Sequence, residues 1–318
     1  MTQSAPARSV PPFRPLFRSP HLQTVIAHYW RRPRPETTAA VTRRFFATDP
    51  NVQVLVESQR PAGPARGHLL LVHGLEGSSM SGYMTSLASA AVRAGFASHR
   101  LNLRSCGGTA HLSPTLYHGG LTADALSVLQ QLHAEEPLPV HVAGFSLGGN
   151  IVLKLAAELG SSVAWLRRVA AVSTPMDLAV SVDRMRRFDN WIYERRFIFH
   201  MLRRVRSTGR VSRRDLAGIT SLFEFDNRIT APEFGFGGAA NYYRTQSSIG
   251  FIEAIRVPTL LIQSKDDTYV PFEIYERAAV RANPSITVLA TDHGGHLGFL
   301  ARGPQRFWLD EAIVDWFQ

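Results

Sequence analysis

Residues 140–150 read Val-His-Val-Ala-Gly-Phe-Ser-Leu-Gly-Gly-Asn. Val140–Phe145 is a short apolar run of strand type, and Leu147–Glu158 repeats its apolar positions at helical period. Between them Ser146 centres a Gly-x-Ser-x-Gly pattern. Gly144 and Gly148 carry no Cβ, so a strand and a helix can close tightly around a strained serine. Its hydroxyl then projects from the top of a sheet. The peptide N–H of Leu147, at a helix N-terminus, points into the same space, where developing negative charge is favoured. Five residues alone also fit an inert serine on a Gly-rich turn. The strand–turn–helix context is what makes Ser146 a candidate nucleophile.

Outward from this turn, short apolar runs recur between turn residues: Val52–Glu57, His68–Val72, Ala97–Leu101, Val169–Val172, Thr259–Gln263 and Ile286–Ala290. Several lack internal alternation, as strands buried on both faces do in a parallel sheet. Helical-period stretches lie between them at Met84–Ala94, Leu121–Leu132 and Tyr275–Ala282. Alternating strand and helix predicts an α/β fold with a mostly parallel sheet flanked by helices. The alternation fails between about 175 and 250, where the chain turns Arg-rich and then aromatic and Gly-rich, and it resumes at Val257. The simplest organisation is an N-terminal arm over 1–42 and one α/β domain over 43–318, interrupted by a cap insertion at about 175–250.

A nucleophilic serine needs a base, and the base needs an orienting acid. Where a serine sits on such an elbow, the acid follows it in the chain and the histidine comes last. After the strand Thr259–Gln263 come Asp266 and Asp267; the register D-x-x-V-P selects Asp267 and leaves Asp266 as a turn or cap residue. After Ile286–Ala290 come His293 and His296; the glycines around His296 suit a loop that presents it to Ser146, and His293 reads as a loop residue. The strand Leu69–Val72 ends in His73-Gly74-Leu75-Glu76-Gly77, whose flexible Gly74 can turn amides inward. The N–H groups of Leu75 and Leu147 are the candidate oxyanion donors. His73, Asp267, His293 and His296 could also be read as metal ligands, but no H-E-x-x-H spacing supports that. No G-x-G-x-x-G follows the first strand and no Walker A pattern occurs, so no metal or nucleotide cofactor is called for.

Composition bounds the rest. Hydrophobic residues are 45% and charged residues 19%, which excludes intrinsic disorder. No apolar run approaches the ~18 residues of a membrane span. The single cysteine, Cys106, excludes a disulfide framework and a thiolate zinc site and reads as a small buried hydrophobe. The N-terminal stretch lacks an apolar leader core, so a cytoplasmic location is expected. Residues 1–35 hold six Arg and no acid, and residues 184–214 hold eleven Arg against Asp189 and Glu194; together they exceed the chain's whole net charge of +10. No nucleic-acid recognition pattern accompanies this charge, so no nucleic-acid partner is expected. Residues 195–206 (RRFIFHMLRRVR) mix basic and apolar positions at helical spacing. That suits either a surface helix packed by its apolar face or a peripheral membrane contact through the basic cap or the arm.

Eight motifs in order resemble the YheT-type branch of the α/β hydrolases, related to the eukaryotic ABHD group: Ser19-Pro20-His21-Leu22-Gln23-Thr24; His73–Ser78; Asn102–Gly108; Leu116–Gly120; Gly144–Asn150; Phe225-Asp226 with Thr230-Ala231-Pro232; Asp266–Pro271; and Gly294–Phe299. The chain departs from the family in reading Arg104-Ser105-Cys106 for Arg-Gly-Cys and Gly119-Gly120 for Ser-Gly. The resemblance implies an α/β-hydrolase fold and a triad of Ser146, Asp267 and His296. It also implies esterase-like action without a cofactor on a small-molecule or lipid ester. Acyl transfer or thioester cleavage on the same triad, and a non-catalytic binding protein on this fold, are the alternatives. Phe223, Phe225, Phe234, Phe236, Tyr242 and Tyr243 would line an acyl pocket or merely pack the cap.

Overall fold

A computed structural model describes residues 12–30, 32 and 40–318 of the chain. The remaining residues of the expected arm, 1–11, 31 and 33–39, lie outside the described residues. Eight strands form one sheet: β1 (Thr42–Asp49), β2 (Val52–Gln59), β3 (His68–Val72), β4 (Ala97–Leu101), β5 (Val140–Phe145), β6 (Leu166–Val172), β7 (Thr259–Ser264) and β8 (Ile286–Thr291). Their order is β1-β2-β4-β3-β5-β6-β7-β8. The β1–β2 and β2–β4 pairs are antiparallel and every other pair is parallel. The helices that flank or adjoin the sheet include α1 (Pro20–Tyr29), α2 (Gly82–Arg93), α3 (Ala123–Glu135) and α4 (Leu147–Leu159).

The apolar runs lack alternation because both faces of the sheet are covered. Leu69, Leu71, Ala143, Phe145, Ala170 and Val172 pack with Met84 and Leu87 of α2 and with the C-terminal helix Trp308–Phe317. Their neighbours Leu70, Val72, Val142, Val169 and Ala171 pack on the opposite face with Val128 of α3 and Ile151 and Leu155 of α4. β1 was not anticipated as a strand. It is an edge strand whose only buried residue is Phe46, so it carries no apolar run to read. The stretch Tyr275–Ala282 is helical only over Ala278–Ala282. Tyr275 is buried, and its hydroxyl both accepts from Thr174 N–H (2.6 Å) and donates to Thr174 C=O (3.0 Å).

Between β6 and β7 the chain leaves the sheet through α5 (Leu178–Met185) and α6 (Trp191–Thr208). An irregular helix follows, made of Leu222–Phe225, a π-helical turn over Asp226–Thr230, and Ala231–Glu233; the helix Ala239–Gln246 comes next. α6 buries Glu194, Ile198, Met201 and Val205, spaced as one helix face. Among the described residues no helix is long and apolar enough to cross a membrane.

The turn from β5 into α4 fixes the centre of the molecule. Ser146 has φ 51°, a left-handed conformation that costs an L-residue free energy and is held by its surroundings. A Cβ on Gly144 would lie 2.3 Å from the Gly148 carbonyl oxygen, and one on Gly148 would lie 2.4 Å from the carbonyl oxygens of Val72 and His73. No side chain fits at either position. Gly148→Ala should therefore destabilise the fold by about 4 kcal/mol or more, whereas Gly63→Ala, with nothing within 4 Å of the new Cβ, should stay within about 0.5 kcal/mol. Thermal unfolding of the two variants checks the contrast.

Candidate active site

The C-terminal ends of the parallel strands bring the predicted residues together. Ser146 Oγ lies 3.0 Å from His296 Nε2. His296 Nδ1 lies 3.0 Å from Asp267 Oδ2 and 3.2 Å from Oδ1. Asp267 also accepts from the N–H groups of Tyr269 (2.8 Å) and Val270 (3.1 Å) and from Gln263 Nε2 (3.3 Å). The carboxylate has only acceptors to offer, so it accepts from His296 Nδ1–H and leaves Nε2 free to accept from the serine. Asp266 stands apart, accepting from Gly295 N–H (2.9 Å) and pairing with His293 Nδ1 (3.2 Å). It is a turn residue, and His293 is its partner in the loop.

Neither predicted amide donor has an acceptor among the described residues. In the loop after β3, Gly74 N–H donates to the Tyr83 hydroxyl, Glu76 N–H to the Tyr117 hydroxyl and Gly77 N–H to Gly74 C=O. Leu75 N–H lies between them with no acceptor among the described residues. Leu147 is the first residue of α4 and has no acceptor within its helix. Both leucines border the same cavity as Ser146 and His296. Gly74 comes so close that an added Cβ would lie 2.9 Å from Ser146 Cβ.

This loop is braced from two sides. His73 is buried, which pushes its imidazole down to about 4. Its Nε2 accepts from Leu103 N–H (3.1 Å), so Nδ1 carries the proton and donates to Gly74 C=O (2.8 Å). Glu76, at φ 53°, receives Arg204 from α6 at 2.8–2.9 Å, and the guanidinium lies 4.9 Å from the Tyr117 ring centre. An ion pair this deeply buried orients its members more than it stabilises the fold.

The cavity runs from Ser146 into the helices between β6 and β7. Leu178, Met185, Met201, Phe225, Tyr242 and Tyr243 are among its walls. Of the six aromatic residues read as pocket lining or packing, these last three border it. Phe223 is partly exposed, and Phe234 and Phe236 pack edge-on against the His118 ring. Burial pushes His118 down to about 3, and its Nδ1 accepts from Gly120 N–H (3.2 Å). Asp226, on the π-helical turn, also borders the cavity. It accepts from the hydroxyls of Tyr243 (2.7 Å) and Thr230 (2.8 Å), and burial pushes its carboxyl up to about 6. Cys106 is buried and its thiol is pushed up to about 12 by that burial, so it is a protonated hydrophobe and not a nucleophile.

The sequence reading missed what holds His296. The N-terminal segment does so directly: Thr24 Oγ1 accepts from His296 N–H at 2.9 Å. Gln23, fully buried, donates to Leu300 C=O (3.1 Å) and accepts from Leu300 N–H (2.8 Å). α1 lies so close that a Cβ on Gly295 would meet the Pro20 carbonyl oxygen at 2.4 Å. The Tyr269 ring stacks on His296 with centroids 4.3 Å apart. The motif Ser19–Thr24 was the available signal, but nothing in the sequence relates it to a loop 270 residues away.

A family model described as alpha/beta hydrolase fold matches residues 67–302. The YheT protein of Escherichia coli (strain K12), whose name proposes an esterase, is 30% identical over 94% of this chain and 90% of its own length. A monoacylglycerol lipase of Saccharomyces cerevisiae is 26% identical over 93% of this chain and 68% of its own. Among solved structures, the Pyrococcus furiosus esterase Pf2001 superposes with a TM-score of 0.59 at 14% identity, covering 89% of this chain and 95% of that one. The chain belongs to the α/β-hydrolase fold family, on its YheT-like branch.

The raised Asp226 carboxyl makes a stability prediction. A carboxyl whose folded value exceeds its unfolded one holds its proton more tightly in the native state, so its contribution falls as pH rises from about 4 to 6. Asp226→Asn removes that slope. Relative to wild type, the variant should gain unfolding free energy between pH 4 and pH 7, and denaturant titrations at the two pH values should show the gap opening.

Proposed function

We propose that the protein is a serine hydrolase that cleaves carboxylic esters, acyl lipid esters among them, through an acyl-enzyme. The observation that carries this reading is the unbroken chain from Ser146 Oγ through His296 to Asp267, with contacts of 3.0 Å on both sides of the imidazole. His296 Nε2 takes the serine proton as Oγ attacks the ester carbonyl, and Asp267 stabilises the imidazolium that forms. The N–H groups of Leu75 and Leu147 hold the oxyanion. Collapse of the tetrahedral species expels the alcohol, which receives the proton from His296. Water, deprotonated by the same imidazole, then releases the acid.

Residues 175–250 act in this reading as a cap over the serine. Their apolar cavity walls suit an acyl chain, and the ester- and lipid-directed names of the relatives agree with such a substrate. The Arg204–Glu76 pair ties the cap to the oxyanion loop, so the wall that receives the chain also positions one of the two donors.

The test is a series of p-nitrophenyl esters from acetate to palmitate, with wild type, Ser146→Ala and Asp267→Asn, alongside mass spectrometry after a fluorophosphonate probe. The label should sit on Ser146, and Ser146→Ala should lose turnover. Asp267→Asn should lose on the order of 10⁴ in kcat, because the imidazole is left in the wrong tautomer. Turnover that survives Ser146→Ala, with no label at that residue, would overturn the assignment.

A further inference from the structure

Two segments far apart in sequence meet on one outer surface beside the cavity. On α1 the exposed apolar residues are Leu22, Val25 and Tyr29, spaced i, i+3, i+7. On α6 they are Trp191, Ile192 and Phe199, the last two again i, i+7, with Phe188 almost fully exposed on the turn before the helix. The helices are in contact here: Arg196 lies 3.2 Å from His28 Nε2 and 5.8 Å from the Tyr29 ring centre, and His21 bonds the Tyr193 hydroxyl at 2.9 Å. Arg195, Arg196, Arg203 and Arg206 share the outer face of α6 with Ile192 and Phe199, at i+3, i+4, i+11 and i+14 from Ile192. None of these four meets a carboxylate among the described residues. Asp189 nearby is already paired with Arg184 and Arg187, and Glu194 is buried.

We propose that this joint α1–α6 face docks the protein onto an anionic lipid bilayer. Exposed Ile, Phe and Tyr side chains interspersed with arginines that meet no carboxylate among the described residues are what an interfacial helix presents to lipid: rings and branched chains enter the headgroup boundary while guanidinium groups stay with the phosphates. The alternatives fit less well. A second copy meeting the first across a two-fold axis would set these arginines against each other. A nucleic acid would satisfy the arginines and leave Leu22, Val25, Ile192 and Phe199 unused. The position adds a reason. Tyr193, on the inner side of this surface, lies 5.0 Å from Tyr269, whose ring stacks on His296. Only the Tyr193 and Tyr269 rings thus separate the docked face from His296.

The test uses the full chain as Ser146→Ala, so that vesicle binding is read without hydrolysis and stands or falls apart from the catalytic assignment. Co-sedimentation is measured with vesicles of phosphatidylcholine alone and with about 30% phosphatidylglycerol, from low to high salt, where a charge-driven contact weakens. Binding should require the anionic lipid and fall with salt. Arg195→Gln with Arg196→Gln, Arg203→Gln and Arg206→Gln should weaken it at least about 50-fold, since each basic side chain near such a surface is worth roughly fivefold. Ile192→Ser with Phe199→Ser should weaken it about tenfold or more through lost apolar insertion. Thermal unfolding close to that of the parent confirms that each variant is folded. No binding to anionic vesicles at low salt, or binding indifferent to both sets of substitutions, overturns the proposal. So does a concentration-dependent dimer that the apolar pair abolishes, or DNA that binds as tightly and survives the apolar substitutions.

Discussion

The backbone at Ser146 is held where an L-residue does not settle by itself, and much of the surrounding structure is what holds it there. Its φ of 51° is possible because Gly144 and Gly148 let β5 and α4 approach to contact distance, and because Ser146 N–H is bonded to Val172 C=O on the next strand. Strain of this kind extends along the whole edge. Of the seven non-glycine residues with positive φ among those described, only Asn51 lies elsewhere; Glu76, Ser105, Ser146, Ser173, Leu297 and Phe299 all follow the C-terminal ends of parallel strands. A sheet buried on both faces is rigid enough to impose such conformations, and loops that emerge from its edge inherit them.

Tertiary context then orders the loops relative to one another. Ser173 Oγ accepts from Leu297 N–H, joining the loop after β6 to the loop that carries His296. Asn150 near the start of α4 donates to Gly119 and Gln246 carbonyls and accepts from Ser248 N–H, joining the elbow helix to the chain that returns from the insertion. Ser173 and Asn150 are both buried. Each of their bonds is worth about 1 kcal/mol net, and leaving a partner unmatched costs more than the bond contributes.

What was legible in the sequence follows from the range of the forces involved. β2 to β7 could be read as apolar runs because burial on two faces marks most residues of those strands, and β8, only partly buried at the sheet edge, from its aliphatic residues. The elbow could be read because its glycines and serine are adjacent. The placement of Asp267 and His296 in their loops followed from strand ends, the D-x-x-V-P register and glycines; in the structure His296 lies against Ser146 and Asp267 against His296. β1 left no trace, since an edge strand with one buried residue resembles a loop. The bond from Thr24 to His296 N–H, the stacking of Tyr269 and the pairing of Arg204 with Glu76 were illegible for a different reason. Each joins segments that become neighbours only after the chain has folded, and a single side chain such as threonine or arginine carries no mark of its distant partner.

The clasp between α1 and the loop after β8 bears on the order in which the molecule is completed. Pro15 pairs with Ala301, Leu16 N–H bonds Leu300 C=O, and Gln23 and Thr24 hold the backbone of residues 296–300. During synthesis residues 15–24 therefore have no such resting place until the chain has been made through residue 301. Ser146 and its elbow are made 150 residues before His296. The bond from Thr24 to the backbone of His296 makes the meeting of Ser146, His296 and Asp267 depend on segments some 270 residues apart.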